Sequence, residues 1–188
     1  MLPNRTRSLD AAIEVLGNEG IHALTHLRVD RHAGLPRGST SNAFRTRAAL
    51  IRGVVEHMIA IERPLVEASF APSTEEQLVD ALAALAGRLV GQDRTRTAAR
   101  LALYLEAARD PELRAALGSG RVAMHRAVVP ALAALGAPDP QGGAGTIAVC
   151  FEGIFLHKVG GYAEIDLRDV LGSVVRGILS SSPPGSED

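Results

Sequence analysis

Apolar residues recur at helical spacing along most of the chain, and this pattern limits the possible folds more than any other feature. In the first segment Leu9, Ala12, Ile13 and Leu16 follow the i, i+3, i+4, i+7 spacing that places side chains on one helix face. Strand-like alternation is scarce, and the chain has only 4 Phe, 2 Tyr and no Trp, so its core is aliphatic. A chain of 188 residues can bury a sizeable core. The sequence therefore predicts an all-α fold.

The first helix should end near Gly20, which can adopt the left-handed conformation that terminates a helix. Two very short helices are predicted after it. Thr25 has the position and chemistry of an N-cap, and the helix that it begins can run only to about residue 33 before Gly34. Pro36 fits the first turn of the next helix, which would reach about Phe44. The pattern indicates a helix-turn-helix.

Longer helices are predicted in the rest of the chain. Thr46 can cap a helix that ends as Pro64 arrives. Further helices are predicted at about residues 74–91, 94–108, 111–135, 144–159 and 167–180, with a break at residues 136–145. We therefore expect a three-helix helix-turn-helix domain at residues 1–45, a helical domain at residues 46–182 whose first helix bridges the two, and a disordered tail at residues 183–188.

Charge is distributed unevenly. Residues 1–52 carry 8 basic and 4 acidic residues, whereas the remainder carries 12 and 17, which suggests that the first part meets a polyanion. Cys150 is the single cysteine and cannot form an intramolecular disulfide. The N-terminus lacks an apolar signal segment, and no apolar stretch approaches the roughly 18 residues of a membrane span. We expect a cytoplasmic protein without a membrane partner.

The stretch AGLPRGSTSNAF, residues 33–44, could at first be taken for a phosphate-binding loop. Gly34 and Gly38 are too close for a P-loop and no lysine follows, and neither a dinucleotide fingerprint nor a nucleophile elbow is present. His22 and His26 lie on either side of the expected cap, which disfavours a shared metal site. No nucleophile motif or paired-carboxylate signature appears, so we expect no catalysis, no cofactor and no metal.

The run THLRVDRHAGLPRGSTSNAFRTRAAL, residues 25–50, resembles the DNA-binding domain of the TetR family of transcriptional regulators. The chain differs from the family at four positions, where it has Pro36, Thr40, Ser41 and Ala43. The residues that match the family pattern are Thr25, Ala33, Gly34, Leu35, Gly38, Phe44, Arg47 and Leu50.

The resemblance implies double-stranded DNA as a partner. Thr25 and His26 would lie beside the groove, and Arg37, Ser39 and Ser41 would face the bases. Asn42 would lie near the sugar-phosphate backbone. The guanidinium of Arg37 matches a guanine edge or a phosphate, and Arg47 adds a cation at a positive helix end, which suits a phosphate.

The resemblance also implies a homodimer and a small-molecule effector. The last two helices carry apolar stripes whose candidate interface residues are Phe151, Phe155, Leu167, Val170, Leu171, Val174 and Ile178. These stripes could instead pack inside one subunit. Polar residues that could orient an effector are Arg100, Tyr104, Glu106, His125, Glu152 and His157.

The sequence thus favours a ligand-responsive regulator, a repressor that occupies a palindromic operator as a homodimer. A helical ligand carrier or protein-interaction module without specific DNA binding is the alternative.

Overall fold

The computed structural model describes residues 4–67, 72–91, 94–162 and 164–181. Within these residues all regular secondary structure is helical, as predicted, and there is no strand. A 3-10 turn covers Ile21–Ala23, and the α-helices are α1 (Asn4–Glu19), α2 (His26–His32), α3 (Ser39–Ala43), α4 (Arg47–Glu67), α5 (Glu75–Gly91), α6 (Arg94–Ala107), α7 (Pro111–Ala134), α8 (Pro140–Gly160) and α9 (Leu167–Ser180). The predicted tail at residues 183–188 lies outside the described residues.

The chain divides into two compact units. The first unit comprises residues 1–61 and 93–119, and the second comprises residues 62–92 and 120–188. Helices α1 to α3 and α6 therefore lie in the first unit, and α5, α8 and α9 lie in the second. The domain boundary that the sequence suggests at residues 45 and 46 stays a prediction.

The core of the first unit forms where α1 packs against α6, α2 and α3. Leu16, Leu24, Leu50 and Leu103 are fully buried there. Helix α6 approaches α1 most closely at Gly17, where an added Cβ would collide with the carbonyl oxygen of Thr95. Only glycine permits this approach, so position 17 fixes how closely α6 can lie on α1.

The core of the second unit forms where α5 packs against α9 and α8. Leu78, Leu82, Ile147 and Leu171 are fully buried in it. Both later helices begin with an aspartate N-cap: Asp139 accepts from the N–H of Gly142, and Asp166 accepts from those of Arg168 and Asp169.

Several helix boundaries agree with the sequence prediction. Helix α1 ends before Gly20, which has a φ of 84°. Thr25 caps α2 by accepting from Arg28 N, and Thr46 caps α4 by accepting from Ala49 N at 3.0 Å. Capping chemistry therefore located these helix starts correctly.

Other boundaries were predicted wrongly. Helix α3 begins at Ser39 and not at Pro36, because Gly38 takes a left-handed φ of 94° that a helix cannot contain. Pro64 lies inside α4, which continues to Glu67. Proline cannot donate to the carbonyl of Ala60, but both residues are exposed, so water can replace the missing donor. Helix α8 begins at Pro140, four residues before the predicted start at residue 144, because Asp139 caps it and Pro140 fits its first turn.

None of the helices in the described ranges combines the length and the apolar character that are needed to cross a bilayer.

Candidate nucleic-acid interface

Two left-handed glycines shape the connection between α2 and α3. Gly34 has a φ of 60° and Gly38 a φ of 94°, a region that other residues adopt only with strain. Between them Leu35 is buried, and its N–H donates to the carbonyl of Asp30 at 2.9 Å. The connection is therefore a defined turn, and α2, turn and α3 together form a helix-turn-helix.

Phe44 fixes the C-terminal end of α3 to the rest of the first unit. Its ring is buried against Gly53 of α4, where an added Cβ would come within 2.6 Å of the ring. The guanidinium of Arg5, on α1, lies over the ring of Phe44 at 4.8 Å from its centroid. The C-terminal end of α3 is thereby fixed by packing.

Asp30 of α2 holds the other end of α3. Its side chain is only 2% exposed. Oδ2 accepts from the N–H of Gly38 at 2.8 Å, and Oδ1 accepts from the N–H and the hydroxyl of Thr40 at 2.8 and 2.6 Å. The hydroxyl oxygens of Thr40 and buried Ser8 are 3.2 Å apart. A buried polar cluster thus joins α1, α2 and α3.

The environment of Asp30 keeps its carboxyl ionised. Burial by itself raises the pKa of the group. The hydrogen bonds from Thr40 and Gly38, together with the nearby charge of His26, lower the pKa by more, so the net shift is downward from the ordinary value. The ionised carboxylate is the form that accepts all three hydrogen bonds, so the hydrogen bonds and the lowered pKa agree.

The predicted base-facing residues lie on and beside α3. The side chain of Arg37 is exposed and makes no hydrogen bond or ion pair with the described residues, and the same is true of the side chain of Asn42. The hydroxyl of Ser39 donates to the carbonyl of Pro36 at 2.7 Å, and that of Ser41 donates to Gly38 at 3.0 Å. Their contact with DNA stays a prediction.

The other predicted DNA-binding residues have partners within the chain. Thr25 caps α2, and His26 Nε2–H donates to the carbonyl of Phe44 at 2.7 Å. Arg47 donates to the carbonyls of Ile21 at 2.6 Å and Leu24 at 3.3 Å. These bonds give all three residues a structural role, whether or not they also contact DNA.

Exposed charge on residues 20–46 is entirely positive. This segment has four arginines, Arg28, Arg31, Arg37 and Arg45, and a single carboxylate, the buried Asp30. Arg28 pairs with Glu19 at 2.6 Å, whereas the other three arginines are exposed and without partners among the described residues. The helix-turn-helix therefore presents free guanidinium groups, which suit phosphates and guanine edges.

Sequence reasoning missed Asp30, Arg31 and Arg45. The signal for Asp30 was available, because Thr40 stands where the resembled family usually has a buried leucine. A polar residue in an apolar position needs a polar partner, and Asp30 supplies it. Arg31 and Arg45 are distinguished only by their lack of partners, which the sequence does not reveal.

The predicted effector-binding residues fall in both units. Arg100, Tyr104 and Glu106 lie on α6 in the first unit, where Arg100 is only 6% exposed. In the second unit Glu152 pairs with Arg121, and the rings of His157 and Tyr162 lie 5.2 Å apart. Within the described segments, no group of three or more His, Cys, Asp or Glu side chains could hold a metal ion.

The predicted interface residues on α8 and α9 differ in burial. Four of them are buried within the second unit: Phe151, Phe155, Leu171 and Ile178. The other three are partly accessible: Leu167, Val170 and Val174. On α8 the accessible apolar side chains are Val149 and Leu156, which are 62% and 58% exposed. The accessible set is the one that a partner subunit could cover, and the interface stays a prediction.

Comparisons with known proteins agree with this architecture. The family profile described as "Tetracyclin repressor-like, C-terminal domain" matches residues 73–181. A TetR family member from Streptomyces coelicolor has a similar structure, with 30% identity, a TM-score of 0.72 and coverage of 92% of this chain and 98% of that one. No curated protein sequence matches the chain significantly.

Two further solved structures are similar over nearly their whole length. The multidrug binding protein EbrR, solved with ethidium, has 28% identity, a TM-score of 0.74 and coverage of 94% of this chain and 99% of that one. A transcriptional regulator from a Rhodococcus species has 19% identity, a TM-score of 0.80 and coverage of 94% and 96%, which shows a shared fold. With a matched C-terminal domain behind an N-terminal helix-turn-helix, the chain belongs to the TetR family of transcriptional regulators.

Proposed function

We propose that the protein is a homodimeric repressor that binds a palindromic DNA operator and is released by a small-molecule effector. One observation carries the DNA part of this proposal. Residues 20–46 expose three arginines whose side chains have no partner among the described residues, and their single carboxylate, that of Asp30, is buried. A surface of this kind attracts the phosphate backbone, and no exposed acid within residues 20–46 repels it.

Arg37 is the proposed reader of a base. It lies in the turn just before the glycine that caps α3, and no intramolecular bond has to break before it can bind DNA. A guanidinium can donate two parallel bonds to the O6 and N7 atoms of guanine. We assign Arg31 and Arg45 to phosphate contacts, and Arg47 to a primarily structural role because of its carbonyl partners.

Ser39 and Ser41 are proposed to act as acceptors. Each hydroxyl already donates its proton to a backbone carbonyl of the chain, so only its lone pairs are available to a ligand. In the major groove the amino groups of adenine and cytosine are the donors. The two serines therefore favour A or C at the positions that they face.

The proposed dimer uses the accessible face of α8 and α9. Val149, Gly153 and Leu156 follow helical spacing on α8, and all three are exposed. Val170 and Val174 are partly accessible on α9. Two copies of such a face can bury apolar surface that one chain leaves in water, and two helix-turn-helix units are needed to read a palindrome.

The proposed effector is a small molecule bound among the helices of the C-terminal part of the chain. The candidate polar contacts that lie in the second unit are His125, Glu152 and His157. EbrR, the similar protein solved with ethidium, supports a small-molecule site in this fold. To displace DNA, the effector must bind the DNA-free conformation more tightly than the DNA-bound one.

DNA binding by the purified protein tests the proposal. The probes are the intergenic DNA upstream of its own gene and a scrambled sequence of equal length, each measured at two salt concentrations. We expect tighter binding to the first probe and a loss of affinity for both probes at higher salt. Equal affinity for the two would support the alternative, a ligand carrier or interaction module. Affinity that does not change with salt would rule out phosphate contacts.

A further inference from the structure

We infer that Asp30 is a positioning residue for DNA reading: from α2 it sets the start and direction of α3, although it does not touch DNA itself. This inference rests on the proposed DNA-binding function. It concerns a residue that lies beneath the interface, and it assigns part of the sequence specificity to a buried carboxylate.

Helix α3 cannot fix its own position. It has five residues, far fewer than the roughly 12 at which isolated helices become marginally stable. Its N-cap is Gly38, which has no side chain and so offers no cap of its own. The first N–H groups of a helix need acceptors. The N–H of Ser39 donates to the carbonyl of Pro36, but the N–H groups of Gly38 and Thr40 donate to the carboxylate of Asp30, which lies on another helix.

Asp30 contacts the start of α3 at two backbone amides, those of Gly38 and Thr40. Oδ2 accepts from Gly38, the left-handed residue at which the chain turns into α3, and Oδ1 accepts from Thr40 in the first turn. Two oxygens of one planar carboxylate thus fix two backbone amides of α3. The residues that follow or precede these amides include Arg37, Ser39 and Ser41, the proposed readers.

The polar cluster around Asp30 can fix the orientation of α3, which apolar packing alone would not do. A leucine or alanine pair would fill the same space at lower desolvation cost, but it would leave the amides of Gly38 and Thr40 without directional partners. Hydrogen bonds constrain angle as well as distance. Small rotations of α3 would move the side chains that face the bases, so a directional contact bears directly on specificity.

The test compares Asp30→Asn with Glu56→Gln, which makes the same charge change at an exposed position with no described partner. Asparagine keeps one oxygen, which can still accept from Thr40, but it turns a donor toward the Gly38 amide. Ile13→Val, in the buried core, controls for loss of stability alone. Thr40→Val removes the hydroxyl at nearly constant volume, and Thr40→Ser restores it.

Two readouts are measured below the unfolding temperature of every variant. The first is hydrogen exchange at the amides of Gly38 and Thr40. The second is the ratio of affinities for the upstream and scrambled DNA probes, with the salt slope. For Asp30→Asn we expect at least about tenfold faster exchange at Gly38 and about a tenfold lower affinity ratio, with an unchanged salt slope. Thr40→Val should lower the ratio, and Thr40→Ser should recover it.

The inference is overturned if Asp30→Asn and Ile13→Val lower the affinity ratio equally, or if the ratio for Asp30→Asn equals that for Glu56→Gln. Unchanged exchange at Gly38 would also overturn it, since the contact would then not hold α3. Failure of the wild-type protein to distinguish the two probes is a separate result. It would refute the proposed function, while the exchange data would still decide whether Asp30 fixes the start of α3.

Discussion

At the scale of single residues, the negative charge in residues 20–46 is buried and the positive charges are exposed. The carboxylate of Asp30 lies inside with three hydrogen bonds, and three of the guanidinium groups lie outside with none among the described residues. The buried carboxylate is hydrogen-bonded to Gly38 and Thr40, whereas the exposed guanidinium groups are available to a ligand. Substitutions at these two depths should therefore affect stability and DNA binding separately.

Asp30 should make stability depend on pH. Its folded pKa lies below the ordinary value of 3.8, so its stabilising effect is complete above that value and is lost as pH falls through the folded pKa. We expect Asp30→Asn to lower the free energy of unfolding by about 1–3 kcal/mol at pH 6, and the difference from wild type to shrink below about pH 4. Urea denaturation at both pH values measures it. A difference that is the same at pH 6 and pH 3 would show that ionisation of Asp30 is not the cause.

Arg37 and Arg47 should behave differently when truncated. Arg37→Ala removes no intramolecular bond, so we expect unchanged stability and a loss of about 1–3 kcal/mol in binding to the operator. Arg47→Ala removes the donors to Ile21 and Leu24, so we expect a stability loss of about 1 kcal/mol. Thermal denaturation and DNA titration of each variant provide the measurements.

Arg88→Ala serves as the control for these two variants, because Arg88 is exposed in the second unit, without a described partner, and carries the same charge. If Arg37→Ala and Arg88→Ala reduce operator affinity equally, Arg37 acts only through overall charge and reads no base.

At the scale of helices, replacing a glycine by alanine should change stability in opposite directions in α1 and in α7. Gly17→Ala would place a methyl group against the carbonyl of Thr95, so we expect a loss of about 1–3 kcal/mol as α6 is pushed from α1. Gly118→Ala meets nothing within 4 Å and should stabilise the protein by about 0.5–1 kcal/mol through higher helix propensity. Chemical denaturation of both variants tests the pair, and equal effects would contradict the close approach at Gly17.

Helix starts could be predicted from the sequence where the capping residue lies next to the helix that it caps. Thr25 and Thr46 cap helices because their hydroxyls reach N–H groups three residues later, which sequence spacing shows directly. The start of α3 could not be found in this way, since its acceptor is Asp30, eight residues before Gly38. The proposed readers Arg37 and Ser39 were named from the family resemblance. Only the structure shows that the side chain of Ser39 has a partner within the chain and that of Arg37 has none among the described residues.

At the scale of the whole molecule, the accessible face of α8 should control assembly. Leu156→Glu places a charge on the proposed dimer face, and we expect it to convert the dimer to monomer and to abolish operator binding together. Leu105→Glu is the matched control, because Leu105 lies on α6 and is 75% exposed. Sedimentation measures the assembly state. A Leu156→Glu protein that stays dimeric would place the interface on another surface.

The packing of α6 on α1 has a consequence for the order in which a growing polypeptide can fold. The first unit combines residues 1–61 with residues 93–119, so the partner of α1 is translated long after α1 itself. Until α6 leaves the ribosome, the side of α1 around Gly17 lacks the helix that covers it in the folded unit. A fragment ending at residue 61 should consequently aggregate, and the shortest autonomous DNA-binding piece should extend through α6.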